Sequence, residues 1–328
     1  MFLRDYSPAL KFGAKIQPQD LAGMIGLPYV GNIYYVDPTN GADTHGGTDQ
    51  NDAFATLTKA YAALTDNNHD VIVIVPGGTG SGTGTVETAA ITWSKNLCHL
   101  VGNVAGTPMS SRARITTATT ALSPFITISG SGNSFHSVQF QSNAAANYIL
   151  ARVSGSRNYF ENVHFANINA TAMANSGACA LELYGGQENY FVNCTVGTDT
   201  VTMSSTSANL RLTLGTQTTA RNVFDGCIFP MMTSAVTNYF IKQPDTSGID
   251  RFNLFRGCQF INAVSSTSTT ITDAIAMAAS PGGMLVLHDC MGVGMTGWAD
   301  NLTNVRILGF STNATILTDY CKGVNPAA

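Results

Sequence analysis

What this chain has least of is charge. Only 11% of its 328 residues are Asp, Glu, Lys or Arg, against roughly 25% in an average soluble protein. Its 16 basic and 20 acidic residues give a formal net charge of −4. No Lys/Arg cluster runs along the sequence, which excludes a nucleic-acid binder that works by bulk electrostatics. Long apolar runs are missing too: the strongest, Val71 to Val75, is far too short to span a bilayer. The start, MFLRDYSPALKFGAK, carries Arg4 and Asp5 and no apolar stretch, so it does not read as a secretory signal. Seven cysteines include no CxxC pair, and an odd number without a leader reads as free thiols made in a reducing compartment. Scarce charge does not mean disorder here. Hydrophobic residues still make up 44% of the chain, and Gly, Ser, Thr and Asn fill the place of the missing charge. Such a composition fits a β-rich protein with an uncharged surface.

Residues 1–32 hold small apolar clusters broken by Lys, Pro and Gly, too little for a core. An arm that docks on something else fits this better than a domain, a frayed terminus being the alternative. Residues 33–78 are more legible. IYYVDPTNGADTHGGT reads as a strand followed by a turn. In DAFATLTKAYAAL, Phe54, Leu57, Tyr61 and Leu64 follow helical spacing, with Asp52 as the expected N-cap. VIVIV and Pro76-Gly77-Gly78 close the unit with a buried strand and a stop. Tyrosine-valine, an Asp/Gly-rich turn, Phe-x-Thr-Leu on an amphipathic helix, an apolar strand and Pro-Gly thus follow in order between Tyr35 and Gly77. That order resembles the N-terminal cap of right-handed parallel β-helix proteins of the pectate-lyase-like superfamily. The resemblance implies the fold and says little about activity.

From about 123 to 310 the sequence repeats. Asn133-Ser-Phe-His-Ser-Val-Gln-Phe140 returns from Asn158, Asn189, Asn222 and Asn253, with a weaker copy at Leu285–Gly292. The sixth position (Val138, Val163, Cys194, Cys227, Cys258, Cys290) recurs at intervals of 25, 31, 33, 31 and 32 residues, a period that signals a solenoid or propeller. A further strand-like piece precedes each copy, and no helical pattern intervenes. The repeat reads as a β-solenoid coil, and with the fold that the cap's resemblance implies the expected fold is all-β, a right-handed parallel β-helix with a short N-terminal cap helix and an extended N-terminal arm. Its expected parts are the arm 1–32, the cap 33–78, the coil 79–310 and a tail 311–328. Position five is Ser, Asn, Asn, Gly, Gly, Asp; a left-handed residue there turns a corner, and Asn, Asp and Gly tolerate that conformation best. The asparagines of position one are expected to form an amide ladder and the phenylalanines of position three an interior stack.

Several candidate sites follow from that arrangement. Stacked coils put Cys194, Cys227, Cys258 and Cys290 in a line that does not converge on a tetrahedral metal, so they read as an interior thiol ladder. Position four (His136, Glu161, Val192, Asp225, Arg256) should face outward. Glu161 and Asp225 lie two coils apart, roughly 9–10 Å by ladder spacing, and inverting glycosidases separate their carboxylates by about 6.5–9.5 Å. With Glu182 on the neighbouring strand they are the catalytic candidates if the protein is an enzyme. Solvated ladder charges, with Arg256 paired to Asp225, explain the same residues and are preferred, because those cations favour ionised carboxylates over a protonated acid. The polygalacturonase-like motifs Asn-Thr-Asp, Asp-Asp, Gly-His-Gly and Arg-Ile-Lys do not occur. Asp37, Asp43 and Asp49 form the one acidic cluster, either a Ca²⁺ site or turn chemistry, the latter preferred. No cofactor is expected: GGTGSGTG lacks the Lys and helix of a phosphate loop. Position two turns apolar over four coils, Tyr159, Tyr190, Val223 and Leu254, and contiguous outward apolar surface marks an interface unless loops cover it.

An uncharged, leaderless β-helix with an N-terminal arm is similar to bacteriophage virion proteins: head decorations, head spikes and tailspikes. That resemblance implies a structural protein of the virion surface, assembled in the host cytoplasm. It would be a homotrimer, attached through residues 1–32 to a capsid or tail protein, with a host surface glycan as a candidate contact and neither nucleic acid nor membrane as a partner. The alternatives are a tailspike-like glycan hydrolase or lyase and a non-catalytic carbohydrate-binding β-helix.

Overall fold

The structure, a computed structural model, describes residues 22–23, 25–27, 30–77, 84–111, 113–117, 122–263 and 269–308. Most of the arm and the whole 311–328 tail lie outside them. Strands Ile126–Ile128, Ser134–His136 and Gln139–Ser142 are followed by Ile149–Val153, Tyr159–Glu161 and His164–Asn167, and the succession continues to Val305–Leu308. The chain visits three sheets in turn, and each strand pairs in parallel with its equivalents one coil before and one coil after. A ten-stranded first sheet starts at Ile33–Val36, a nine-stranded second sheet at Thr85–Glu87 and an eight-stranded third sheet at Ile91–Trp93. This is a parallel β-helix. Its register follows the repeat: Ser134, Tyr159, Tyr190, Val223 and Leu254 stand side by side.

The corner from first to second sheet falls at position five. Ser137, Asn162, Asn193, Gly226, Gly257 and Asp289 all have φ between 50° and 62°, the left-handed conformation that costs an ordinary L-residue roughly 1–2 kcal/mol. The ladder is not broken there, since each of these N–H groups donates to the next coil, as Asn193 does to Asp225 O at 2.8 Å. A second left-handed corner, from third to first sheet, is occupied by Arg157, Glu188, Arg221 and Arg251. Nothing in their chemistry announces it. The neighbouring asparagines hold this corner: the backbone N–H groups of Asn133, Asn158, Asn189 and Asn222 each donate to the Oδ1 of the asparagine one coil on, at 2.9–3.2 Å. The Nδ2 groups of Asn158, Asn189 and Asn222 donate across the corner to Gly130, Gly155 and Gly186 carbonyls. All five asparagines, Asn253 included, are buried.

Inside, Phe135, Phe160, Phe191, Phe224 and Phe255 stack with centroids 4.4–4.9 Å apart and rings within 7° of parallel. Trp93 packs edge-on against Phe135 at one end of this column, and Tyr61 packs on Trp93 in turn. Tyr61 lies on helix α1, Leu57–Ala63, whose N-cap is Thr56 accepting from Lys59 N. Asp52, the cap expected from the sequence, instead ends a 3-10 turn, Gln50–Asp52. The helix starts later because Phe54 is extended and bridges to Val36.

Residues 103–110 fold back over the second sheet. Ser110 N–H donates to His164 Nδ1 at 3.1 Å, His164 Nε2 donates to Gly197 O at 2.9 Å, and Thr195 Oγ1 donates to Pro108 O. Burial pushes the imidazole of His164 down to about 4. The geometry agrees, because a proton on Nδ1 would face the Ser110 N–H. His99, between His69 Nδ1 (3.1 Å) and Ser134 Oγ (2.8 Å), is pushed down to about 3 by burial and then by His69 and His136.

Two outcomes are expected. Asn222→Ala removes a buried acceptor for Asn189 N and a donor to Gly186 O, and should lower unfolding free energy by about 3 kcal/mol, read from urea midpoints; a loss below about 1 kcal/mol would show that the ladder does not hold the corner. Because the folded pKa values of His99 and His164 lie below the unfolded value, their contribution to stability is complete above about pH 6.5 and fades as pH falls toward 4. Each histidine should contribute up to about 1.4 kcal/mol per pH unit in that window, and His164→Gln should flatten the acid limb when unfolding is compared at about pH 7 and about pH 5.

Candidate functional site

The outward row of the first sheet at position four is His136, Glu161, Val192, Asp225 and Arg256, in direct register. Strand alternation puts position two on the same face, so Tyr159 and Tyr190 lie beside these charges. Tyr159 Oη donates to Glu161 Oε2 at 3.2 Å, and His136 Nδ1 stands 3.3 Å from the same oxygen. Tyr190 Oη donates to Asp225 Oδ2 at 2.9 Å. Arg256 clamps Asp225 from the other side, Nε to Oδ1 at 3.0 Å and Nη2 to Oδ2. The hydrogen bond from Arg256 holds the Asp225 carboxyl below its usual range, against a smaller opposing effect of burial. Burial and then Glu161 push the Tyr159 phenol up to about 12.

Beside this row, along the left-handed corner, runs a groove of about 560 Å³. Its floor is the short side chains of the corner (Ser137, Asn162, Asn193 and Gly226), its walls include His136 and Glu161, and Val104, Gly106 and Pro108 of the folded-back loop also line it. Position five makes the groove, since the Ser, Asn and Gly that take the left-handed turn there carry small side chains. Glu161 and Asp225 are both on the outward row, with Val192 between them, and of the two only Glu161 lines the groove. A pair that cleaves a glycosidic bond needs one carboxyl kept protonated; Asp225, clamped by Arg256, is the opposite.

Glu182 lies elsewhere. It sits on the third sheet, 3% exposed, in the row Thr127, Arg152, Glu182, Arg211 and Lys242. Its oxygens meet Arg152 Nε at 2.6 Å, Thr213 Oγ1 at 3.1 Å and Arg211 Nη1 at 3.6 Å. The strand next to it in sequence is not the strand next to it in space. Asp37, Asp43 and Asp49 do not converge either. Each carboxylate accepts from its own set of donors: Thr39 and Asn40 N–H for Asp37, Ala55 and Thr56 N–H for Asp43, and Asn51 N–H for Asp49. Among the described residues no group of three or more His, Cys, Asp or Glu could hold a metal. Cys194, Cys227, Cys258 and Cys290 are buried free thiols, each donating to the carbonyl of a phenylalanine of the column at 3.3–3.4 Å. Val223 and Leu254 continue the outward row of tyrosines, half-buried, with Phe252 and Met284 more exposed beside them.

Two features escaped the sequence reading. Asp273 on the third sheet is held above the usual carboxyl range by burial and then by Asp300; only spatial proximity of the two could reveal this. Tyr184, 37% exposed, carries the Arg152 guanidinium 4.6 Å from its ring centre. The outward place of Arg152 and Tyr184 on successive third-sheet strands was available from the strand alternation.

No family model matches the chain, and no curated protein matches it. Solved structures do. Pectin methylesterase from Aspergillus niger is 14% identical with a TM-score of 0.55, covering 86% of this chain and 87% of its own. Pectin methylesterase PemA from Erwinia chrysanthemi is 16% identical with a TM-score of 0.54, covering 88% of this chain and 97% of its own. Pectate lyase Pel9A is 15% identical with a TM-score of 0.54, covering 84% and 78%. A Geobacillus virus E2 protein, ORF18, reaches a TM-score of 0.42, too low a likeness to carry an argument. What these likenesses establish is the architecture: the chain is a right-handed parallel β-helix, the fold it has in common with carbohydrate-active enzymes.

Proposed function

We propose that this protein is a structural component of a bacteriophage particle surface. In this reading it is held to a capsid or tail protein by its N-terminal arm, associates with itself as a trimer and presents the β-helix to host glycans. The observation that carries the reading is the outer face of the first sheet. Tyr159, Tyr190, Val223 and Leu254 run unbroken across four coils and continue at Val286, and Phe252 and Met284 add exposed apolar surface beside them. The carboxylates on this face are satisfied within it, Asp225 by Arg256 and Tyr190 and Glu161 by Tyr159, while burial holds His136 toward its neutral form. A flat apolar strip whose carboxylates already have partners suits burial against copies of itself, where an unpartnered charge would be costly. The low charge of the chain and its solenoid form support the particle setting by analogy with virion β-helices.

At its N-terminal end the same face is covered. Ile25 and Val30 pack against Tyr35, Val71, Val73 and Val101. The end of the arm nearest the coil therefore packs on the β-helix, and in this reading attachment to the capsid or tail protein falls to the residues before it.

The purified chain should sediment as a trimer, and Leu254→Arg together with Val223→Arg should yield a folded monomer; a wild-type monomer overturns the interface. Removing residues 1–20, which stops short of Ile25 and Val30, should leave a folded trimer that no longer joins particles. Full incorporation of that truncated chain would overturn attachment through the arm.

A further inference from the structure

At the corner between the third and first sheets, on the side of the coil away from Glu161 and Asp225, a second pocket of about 270 Å³ is lined by Ser129, Ser131, Ser154, Ser156, Thr216 and Gln217, with Tyr184 at its edge. We propose that this pocket binds a neutral saccharide, with Tyr184 as the ring on which a sugar face stacks. The biological meaning of such binding, contact with a host surface glycan, rests on the particle reading above; the binding itself does not.

The side chains define the ligand. The pocket contains no charged residue. Arg152, which lies over Tyr184, is committed to Glu182 at 2.6 Å, and Arg157, next to Ser156 in sequence, to Glu188 at 2.8 Å, so neither is left to recruit a phosphate or a carboxylate. The hydroxyls of Ser131 and Ser156 accept backbone N–H groups of the following coil, Ser156 N at 3.1 Å and Gln187 N at 3.3 Å. Each keeps its own proton to donate. Ser129, Ser154, Thr216 and Gln217 also line the pocket and bring uncharged donors and acceptors to it. A ligand that satisfies several uncharged donors and acceptors and also offers an apolar face to an aromatic ring is a pyranose. The volume lies just below that of usual small-molecule pockets, about 300–1,000 Å³, and suits one or two sugar rings.

Tyr184 is held in place before any ligand arrives. The Arg152 guanidinium, itself positioned by Glu182, lies over its ring. Gly215 comes so close that a Cβ there would lie 3.0 Å from the ring edge. A ring already immobilised costs little further entropy on binding. The solenoid also repeats the hydroxyls. Ser129 and Ser154 are equivalents one coil apart, as are Ser131 and Ser156, so rows of donors advance by about 4.8 Å per coil. Such rows suit a polysaccharide lying along the axis of the coil.

The test uses the full chain with maltohexaose, cellohexaose and mannohexaose as neutral probes and a galacturonic acid hexamer as the charged comparison, followed by saturation-transfer NMR and calorimetry. At least one neutral hexamer should bind with a dissociation constant of about 1 mM or tighter and more tightly than the charged hexamer. Tyr184→Phe should retain binding, Tyr184→Ala should weaken it roughly tenfold, and Ser154→Leu, which fills the pocket, should abolish it. The proposal is overturned if none of the neutral hexamers binds at about 10 mM, if the charged hexamer binds best, or if Tyr184→Ala binds like the wild type. Sugar binding by a chain that never joins a particle would overturn the particle reading alone, and a particle protein with no sugar binding would overturn this site alone.

Discussion

Every strand of this protein takes its hydrogen-bond partners from a full coil away, so nothing local fixes the register between coils. The corners must fix it. The buried asparagine row does so at the third-to-first corner, because an asparagine such as Asn222 joins its own coil to both neighbours: its Oδ1 accepts from Asn189 N and its Nδ2 donates to Gly186 O in the coil before, and its N–H and Nδ2 donate to Asn253 Oδ1 in the coil after. A slip of one coil residue would leave several buried amides without partners, each costing about 1–3 kcal/mol. With that row in place, the phenylalanines stack in parallel, the cysteines meet carbonyls of the column, and the residues between them must face out. The outward rows, and so both grooves, inherit their alignment from it.

The two corners explain what could be read from the sequence. Position five was legible because Ser, Asn, Gly and Asp recur there at the solenoid period, and their tolerance of positive φ gives the recurrence a physical meaning. The other corner was not. Arg157, Glu188 and Arg221 carry no preference for the left-handed region; they are held in it by the asparagine that follows and by the ion pairs Arg157–Glu188 and Arg221–Glu188 on the outside. The cap helix was misplaced at its start for a similar reason. Phe54 has the right spacing for helix α1 but is taken by a bridge to Val36, so tertiary pairing overrides local propensity.

Site residues were harder to read than the fold because a solenoid separates neighbours in sequence from neighbours in space. Glu161 and Asp225, two coils apart, share one outward row. Glu182, between them in sequence, belongs to a different sheet and a different charge network. Only residues at the same position of different coils can be joined by inspection of the repeat. Contacts that cross from one row to another, such as Tyr190 to Asp225 or Arg152 to Tyr184, depend on side-chain length and direction, which the repeat does not encode.

The rows also differ in how freely they can change. An inward position is bound by its stack: a substitution at Phe191 disturbs Phe160 and Phe224 together, because the rings are in contact on both sides. An outward position touches its own row, the outward rows beside it and solvent, so an aromatic such as Tyr184 or Tyr190 can be placed on one coil without repacking the core. The corners sit between these cases. Their backbone is fixed by the ladder, and where their side chains are small, as at Ser137 and Gly226 or at Ser129 and Ser154, the space left above them is concave. Concave space with a fixed backbone and replaceable neighbours is where a β-helix gains recognition without loss of register, and the two grooves described above lie at corners for that reason.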